Sequence, residues 1–462
     1  MSAGLGSLSS LGVVKETVEN TAEDPATCTY IPILSESMSA NRAAVQSGSL
    51  LGNRMLTNVA LGIQTANGGF QMEVEGSAFA LALWLWNGDG GYSFAAVGGY
   101  ATAAPTGSAS AGGALSVGNY KYKVASVLTR TVDSRLIIMP GSTASANIAA
   151  SGSDLQIDLT WTNVAAPTGY THTGTVIFRT TVGGSTYYFD KYVAGTGNTT
   201  TSSIADSALD TTVGPYSTIP NRHRYKGTVS LSNTDPIYTF SMVVNKNNDN
   251  AEEYVGCRLS DMGISMGDPN AAITADFSVL ARNVVPVANQ TPSFTALEPF
   301  VGWSCKAYIN GTADCTIEGI NLSCSNNVQP VGGLCAVPYN QGNISGMRSV
   351  SGTLSRQFSN HDFWDKMLAG EEFALRITAF GQPLVATGSS LQTSKGHAID
   401  ATPFQYYLDI NLFKCRASKA GGSVSGPDQI KESVEFTKCL CIFGFENHIK
   451  IRRFSPFNKP FL

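Results

Sequence analysis

Two passages of this chain recur in the same order but at different separations, and this constrains its architecture more than any other sequence feature. One begins at a cysteine. Cys257-Arg258-Leu259-Ser260-Asp261-Met262-Gly263-Ile264-Ser265 aligns with Cys415-Arg416-Ala417-Ser418-Lys419-Ala420-Gly421-Gly422-Ser423, and Pro269 and Pro427 continue the match. Phe277 and Phe436 then head similar stretches after one inserted residue. The other passage lies upstream in each half, where Ser77 to Gly88 parallels Ser359 to Gly370. Serine is a favoured helix N-cap and glycine the favoured residue just past a helix end, so each passage predicts a short helix. An alternating strand precedes each one: Met72-Glu73-Val74-Glu75 in the first half, Thr353 to Phe358 in the second. The expectation is a mainly β chain with two related β-sandwich or barrel domains, each carrying a short helix.

The separations differ in an informative way. Gly88 and Gly370 stand much further apart than Cys257 and Cys415, so the first half carries an extra piece, between helix and Cys-Arg strand, that the second lacks. About 100 residues make an immunoglobulin-like sandwich, and the extra piece is of that size. It has strand patterns at Asn119 to Val124, Leu155 to Trp161, Val176 to Arg179 and Tyr187 to Phe189, with Gly183-Gly184-Ser185 as a hairpin turn. Its aromatic strand, Trp-bearing strand and later Arg-bearing strand resemble a fibronectin type III module. The reading is therefore a first domain of residues 1–103 and 220–288, an inserted immunoglobulin or fibronectin III-like sandwich at 104–219, and a second domain at 289–462. A chain holding two copies of one domain can close a pseudo-sixfold ring from three subunits through heterologous contacts.

Composition excludes several functions. Charged residues are 14% of the 462 positions, well below the roughly 25% usual in globular proteins. The net charge of −4 lacks the basic stripe of a nucleic-acid reader. The one compact basic cluster, Arg222-His223-Arg224-Tyr225-Lys226, reads as a solvated loop or a subunit salt-bridge site. No basic start and apolar run mark a secretory signal in the first dozen residues, and the most apolar run, Ala78 to Trp86, is far shorter than the ~20 residues of a membrane span. Folding in the cytoplasm, with reduced thiols and no membrane partner, is the expectation. Cys305, Cys315, Cys324 and Cys335 recur about every ten residues, a strand-plus-turn period rather than the short knuckle of a zinc site. Asn245 to Asn250 lacks the Gly and Glu of a calcium loop and reads as a hairpin tip. There is no Gly-Lys dipeptide for a phosphate loop and no His-Glu-x-x-His. The chain is expected to be no enzyme, with no catalytic residues, cofactor or metal.

Several stretches carry a family resemblance. Asn250-Ala251-Glu252-Glu253-Tyr254-Val255-Gly256-Cys257-Arg258-Leu259 leads into a strand ending Asp276 to Leu280. Ile31 to Ser37 lies near the start, Glu298-Pro299-Phe300-Val301-Gly302 precedes a hairpin with Asn310-Gly311 at its turn, Ser325-Asn326-Asn327 follows, and Val350 to Leu354 opens the second strand–helix unit. In order and spacing these resemble bacteriophage tail tube proteins, over nearly all of the chain outside the insert. The resemblance implies trimeric, pseudo-sixfold rings stacked into a hollow tube, with the insert projecting outwards. It also implies tail tip, tail terminator and tape measure proteins as partners, phage DNA passing through the lumen unbound, and a place in the virion tail after assembly in the host cytoplasm. The basic tail from Ile449-Lys450-Ile451-Arg452-Arg453 onward departs from the pattern.

A conduit for DNA needs a wall that repels phosphate. Glu73 and Glu75, two apart on a strand, are expected on one face of it, with Ser355 and Gln357 in the equivalent place of the second copy. Other classes stay open: a capsid decoration or baseplate subunit, which would not stack as rings, and a surface-binding module acting through the insert.

Overall fold

The computed structural model describes residues 9–46, 59–88, 91–95, 103–131, 134–166, 170–215, 222–226, 237–246, 250–294, 297–332, 337–383, 402–403, 405–423, 430–437 and 440–445. The chain is mainly β, with two α-helices among the described residues. It divides into two compact units. One comprises residues 1–93, 223–381 and 407–445; the other comprises 94–222, 382–406 and 446–462.

In the first unit the labelled elements are β1 (Ser10–Lys15), β2 (Ser39–Gln46), β3 (Val59–Glu73), α1 (Ala78–Asn87), β4 (Phe240–Asn245), β5 (Asn250–Met266), β6 (Thr274–Ala281), β7 (Asn283–Ala288), β8 (Ile317–Ser325), β9 (Ser349–Gln357), α2 (Asp362–Ala369), β10 (Glu372–Pro383), β11 (Gln405–Ser423), β12 (Lys431–Thr437) and β13 (Leu440–Phe445). Eight strands form one antiparallel run in the order β2–β3–β6–β5–β8–β9–β12–β11. Strands from both halves of the chain thus share one sheet, joined where β5 pairs with β8.

β5 is long enough to serve two sheets. Its first part pairs with β4 and β7, and its second part with β6 and β8. The break falls at Gly256, whose φ of +64° only glycine adopts readily. A Cβ there would lie 2.6 Å from Asn20 Oδ1. β11 is built alike: it pairs first with β13 and then with β12, and the break at Lys414 has φ +58°. Gly256 immediately precedes Cys257, and Lys414 immediately precedes Cys415, so both breaks open the Cys-Arg repeat. A left-handed lysine costs roughly 1–2 kcal/mol, so Lys414→Gly is expected to raise the unfolding free energy by about 0.5–1 kcal/mol after the entropic cost of glycine. A urea titration checks this, and a lowered midpoint would refute it.

The register extends the parallel. A β-bulge interrupts β5 against β6 between Leu259 and Asp261, and another interrupts β11 against β12 between Ala417 and Lys419, the same positions of the repeat. Followed across the sheet from the repeated arginine, the ladders match strand for strand. Arg258 pairs with Leu280, Leu280 with Asn67 and Asn67 with Ser39. Arg416 pairs with Thr437, Thr437 with Ser351 and Ser351 with Ser323.

The helices end as their glycines predict. Gly88 (φ +75°) donates its N–H to Trp84 O, and Gly370 (φ +67°) closes α2. α1 begins after Ser77 as expected, whereas α2 begins two residues later than the Ser359 pattern suggested, after His361. Their surroundings differ sharply. All of α1 except Trp84 is buried, and Phe79 packs near Phe277, with ring centroids 6.3 Å apart. Only Phe363 of α2 is buried, against Phe373 at 5.2 Å.

In the second unit, strands Tyr187–Ala194, Tyr170–Thr180, Tyr122–Arg130, Leu136–Ile138 and Thr402–Pro403 form one sheet. A second sheet joins Thr199–Ser202, Gln156–Thr160 and Thr106–Ser110. Tyr122, Val124 and Ile177 of the first sheet share a core with Ile157 and Leu159 of the second, around Trp161. Gly183, at φ +64°, turns the hairpin between Thr180 and Tyr187. In the first unit, Asn310 and Gly311, both at positive φ, turn the hairpin joining Ile309 to Thr312, the conformation that Asn-Gly favours.

Candidate functional site

The eight-strand run has one apolar and one polar face, because successive side chains on a strand alternate. Phe70, Met72, Met262, Ile264, Ala275, Phe277, Ile320, Leu322, Leu354, Val434 and Phe436 are buried on one side. On the other, a cross-strand row runs Glu73, Thr274, Ser265, Asn321, Thr353, Glu435, Lys419. The row beside it runs Gln71, Asp276, Gly263, Ser323, Ser351, Thr437. Hydroxyls, amides and glycine dominate this face. Lys419 pairs with Glu435 at 3.0 Å and Lys431 with Glu318 at 2.7 Å, leaving Glu73, Asp276 and Asp261 as its acidic end. Hydrogen bonds from Lys431 and then Gln357 hold the Glu318 carboxyl below its ordinary range.

Three of the four residues named from the sequence share this polar face. Glu73 leads the first row, and Ser355 and Gln357 continue along β9 from Thr353, all three half-buried. Glu75 lies elsewhere. β3 ends at Glu73, and the Glu75 carboxylate, 4% exposed, turns to the start of α1. It accepts the N–H of Ser77 at 2.7 Å and that of Ala78. First-turn N–H groups lack partners within a helix and carry positive partial charge, so a buried carboxylate is well placed there. The strand pattern masked this role; a Glu two residues ahead of the N-cap Ser77 was the available signal. The strand ladders, in which Asn67 corresponds to Ser351, also set Glu73 against Gln357. That is two residues along from the alignment made through the helices, which keeps the same face.

Two groups of residues that no motif pointed to organise the site from behind. Arg356, on the buried side of β9, pairs with Glu432 of β12 at 2.6 Å, their side chains 5% and 1% exposed. It also donates to Asn360 Oδ1 at 3.2 Å and lies over the Phe363 ring of α2. Asn326 donates to Trp86 O at 2.8 Å and Leu259 O at 3.1 Å, and Arg348 donates to the side chain and carbonyl of Asn87. Both come from the second half of the chain and clasp the C-terminal end of α1, where a cation suits the helix dipole.

Other sequence features resolve as follows. Arg222–Lys226, expected as a solvated loop or a subunit salt-bridge site, is not a loop but a strand: Tyr225 and Lys226 pair with Phe445 and Gly444 of β13, because backbone partners decide strand formation as much as composition. Cys305 is half-buried, Cys315 exposed and Cys324 buried. Burial pushes the Cys305 thiol up to about 11. Among the described residues no three metal-ligating side chains gather. Cys335, Asn247 to Asp249 at the expected hairpin tip, and the basic segment from Ile449 lie outside the described residues. No helix among them is long and apolar enough to cross a membrane.

The family model described as phage tail tube protein matches residues 6–437, nearly the whole chain. No curated protein matches it. With a β-rich body, one polar sheet face and that match, the chain belongs to the phage tail tube family and is a structural, non-enzymatic component of the virion tail.

Proposed function

We propose that this protein is the ring-forming subunit of the tube of a long-tailed phage: three copies close a pseudo-sixfold ring, and rings stack into the conduit for DNA ejection. The observation that carries the reading is the doubled backbone design of β5 and β11, with matching bulges and matching left-handed breaks at Gly256 and Lys414. Two such halves in one chain supply two of six equivalent positions. The polar face of the eight-strand run, with Glu73, Ser355 and Gln357, lines the lumen. Its hydroxyls and paired charges offer phosphate no cationic surface, and its acidic end repels it. The insert, residues 104–219, is an immunoglobulin-like sandwich that projects from the tube and leaves the ring contacts to the duplicated domains at 1–103 with 220–288 and at 289–462. Its partners are further copies of itself, then the tail tip, terminator and tape measure proteins, with DNA as passing cargo. Assembly takes place in the host cytoplasm.

Negative-stain electron microscopy of the purified chain, with rotational averaging of end-on views, tests this. Hollow stacked rings with three outer knobs are the expected result. Six knobs would overturn the trimer. Closed shells, or monomers under all assembly conditions, would overturn the tube.

A further inference from the structure

A strap of chain closes over a buried glutamate in the first unit. The strap, residues 16–28, leaves the end of β1 and returns as the strand Thr29–Ile31, which pairs with β1. Beneath it, a cross-strand row runs Tyr30, Gly12, Val243, Glu253, Val285, so these residues share one face of the sheet that β1 and β4 form with the first part of β5 and with β7. Gly12 makes room for the strap: a Cβ there would lie 2.9 Å from Cys28 Cβ and 3.2 Å from the Tyr30 ring. Glu16, 4% exposed, fastens it. Its carboxylate accepts the N–H of Asn20 at 2.7 Å, the N–H of Gly256 at 2.7 Å and the hydroxyl of Ser241 at 3.2 Å.

Glu253, 3% exposed, has no such set of donors, and its Oε1 is without a hydrogen-bond partner. The titratable groups around it are Glu16 at the end of β1, Asp24 and Cys28 of the strap, and Cys257 of its own strand. From β4 and β7 it meets Val243 and Val285. The cations of this region are engaged elsewhere. Lys246 pairs with Glu252 at 2.9 Å, on the opposite face of β5, and Arg258 pairs with Glu19 at 3.3 Å. Arg282 donates to the carbonyls of Asn20 and Asn340, and Lys15 lies over the Tyr238 ring. Burial, then Glu16, then Asp24 raise the Glu253 carboxyl above its ordinary range. The other half of the chain fills the same strand position without a charge: counted back from the repeated cysteine, Glu253 answers to Asn411. A neutral side chain therefore satisfies the strand at this point, and the carboxyl of the first half is an addition to it.

We infer that Glu253 is a proton-operated latch for the strap 16–28: with its proton the strap lies closed on the sheet, and without it the facing carboxyls of Glu16 and Asp24 drive the strap off. The latch belongs to the single chain and does not depend on the tube reading. The closed chain holds this proton more tightly than the open one. Closure is therefore firmest in acid, weakens as the pH rises out of the ordinary glutamate range, and levels off above the midpoint of the closed chain. Opening also frees the Gly256 N–H that Glu16 accepts, so the latch acts at the left-handed break of β5.

Hydrogen exchange of the full chain from about pH 5 to about pH 8 tests the latch, with each rate expressed against that of an unstructured chain at the same pH. The protection of residues 16–28 is expected to fall about threefold or more across this range, while that of residues 240–245 in β4 stays constant. In Glu253→Gln, whose amide is neutral at every pH, the fall should vanish and the strap stay protected. Asp24→Asn guards against a Glu253 variant that fails to fold. Asp24 is exposed, and asparagine keeps an oxygen for the Ala26 N–H that it accepts at 3.0 Å, so this change removes one facing charge and should shrink the fall. Strap protection that is flat with pH in the natural chain would overturn the latch. So would a fall of undiminished size in Glu253→Gln or in Asp24→Asn.

Discussion

Arg356→Met alone is expected to destabilise the first unit by about 3–5 kcal/mol, and Glu432→Leu alone, which leaves Asp314 beside the arginine, by somewhat less. Made together, the two changes should return stability to within about 1 kcal/mol of the natural chain or above it. Arg356→Met leaves the Glu432 carboxylate, 1% exposed, without its cation, and Glu432→Leu leaves the buried Arg356 with only the longer 3.8 Å pairing to Asp314, so the attraction that remains no longer offsets desolvation. The double variant removes both charges. The first half of the chain shows why the space can be filled: at the corresponding rung of its ladder, Met72 pairs with Ala275 and Ala275 with Ile264, a buried apolar row. In the second half that rung holds Arg356, Glu432 and Gly422. The large residue of the third strand has moved to the second, so Leu at 432 suits the room that Gly422 leaves. Urea unfolding of the chain at fixed protein concentration measures the cycle. A double variant no more stable than the weaker single one would show that Arg356 acts through its contacts with Asn360 and Phe363 instead.

The second large effect is expected in the unit that holds residues 94–222. Arg179→Ala should cost that unit about 2–4 kcal/mol while leaving ring formation intact. The Arg179 side chain is fully buried and pairs with Asp206 at 2.5 Å, donates to Ile204 O at 2.9 Å and lies over the Tyr120 ring. Asp206 keeps partial exposure and still accepts the Val182 N–H, so its carboxylate is less stranded than Glu432 would be and the lower range applies. Limited proteolysis should cut the variant within residues 103–215 under conditions that leave the natural chain whole, and electron microscopy of the same sample should show tubes. Loss of tubes together with this unit's fold would mean that it takes part in assembly.

Much of the fold is legible from local chemistry. Ser77 and Gly88 bound the first helix because capping needs only a suitable residue at one end and a left-handed one at the other. Asn310-Gly311 turns its hairpin for a similarly local reason. The Cys-Arg repeat marks β5 and β11 because both strands alternate between the same two faces. Where the sequence reading strayed, the deciding partner was distant. Glu75 continues an alternating pattern, yet the strand stops at Glu73 and the carboxylate meets the helix start instead. The basic run Arg222–Lys226 became a strand because Gly444 and Phe445, far along the chain, supply its backbone partners.

The sequence alone determined that the chain is mainly β, that two short passages recur in order, and that their separations differ, since these depend on composition, spacing and short-range turn chemistry. Tertiary structure alone decided which edges are satisfied, that Arg356 meets Glu432, and that α1 is buried while α2 buries only Phe363. Those depend on strand register, where a slip of one residue exchanges the two faces, and register is set by pairings between segments that no local pattern connects.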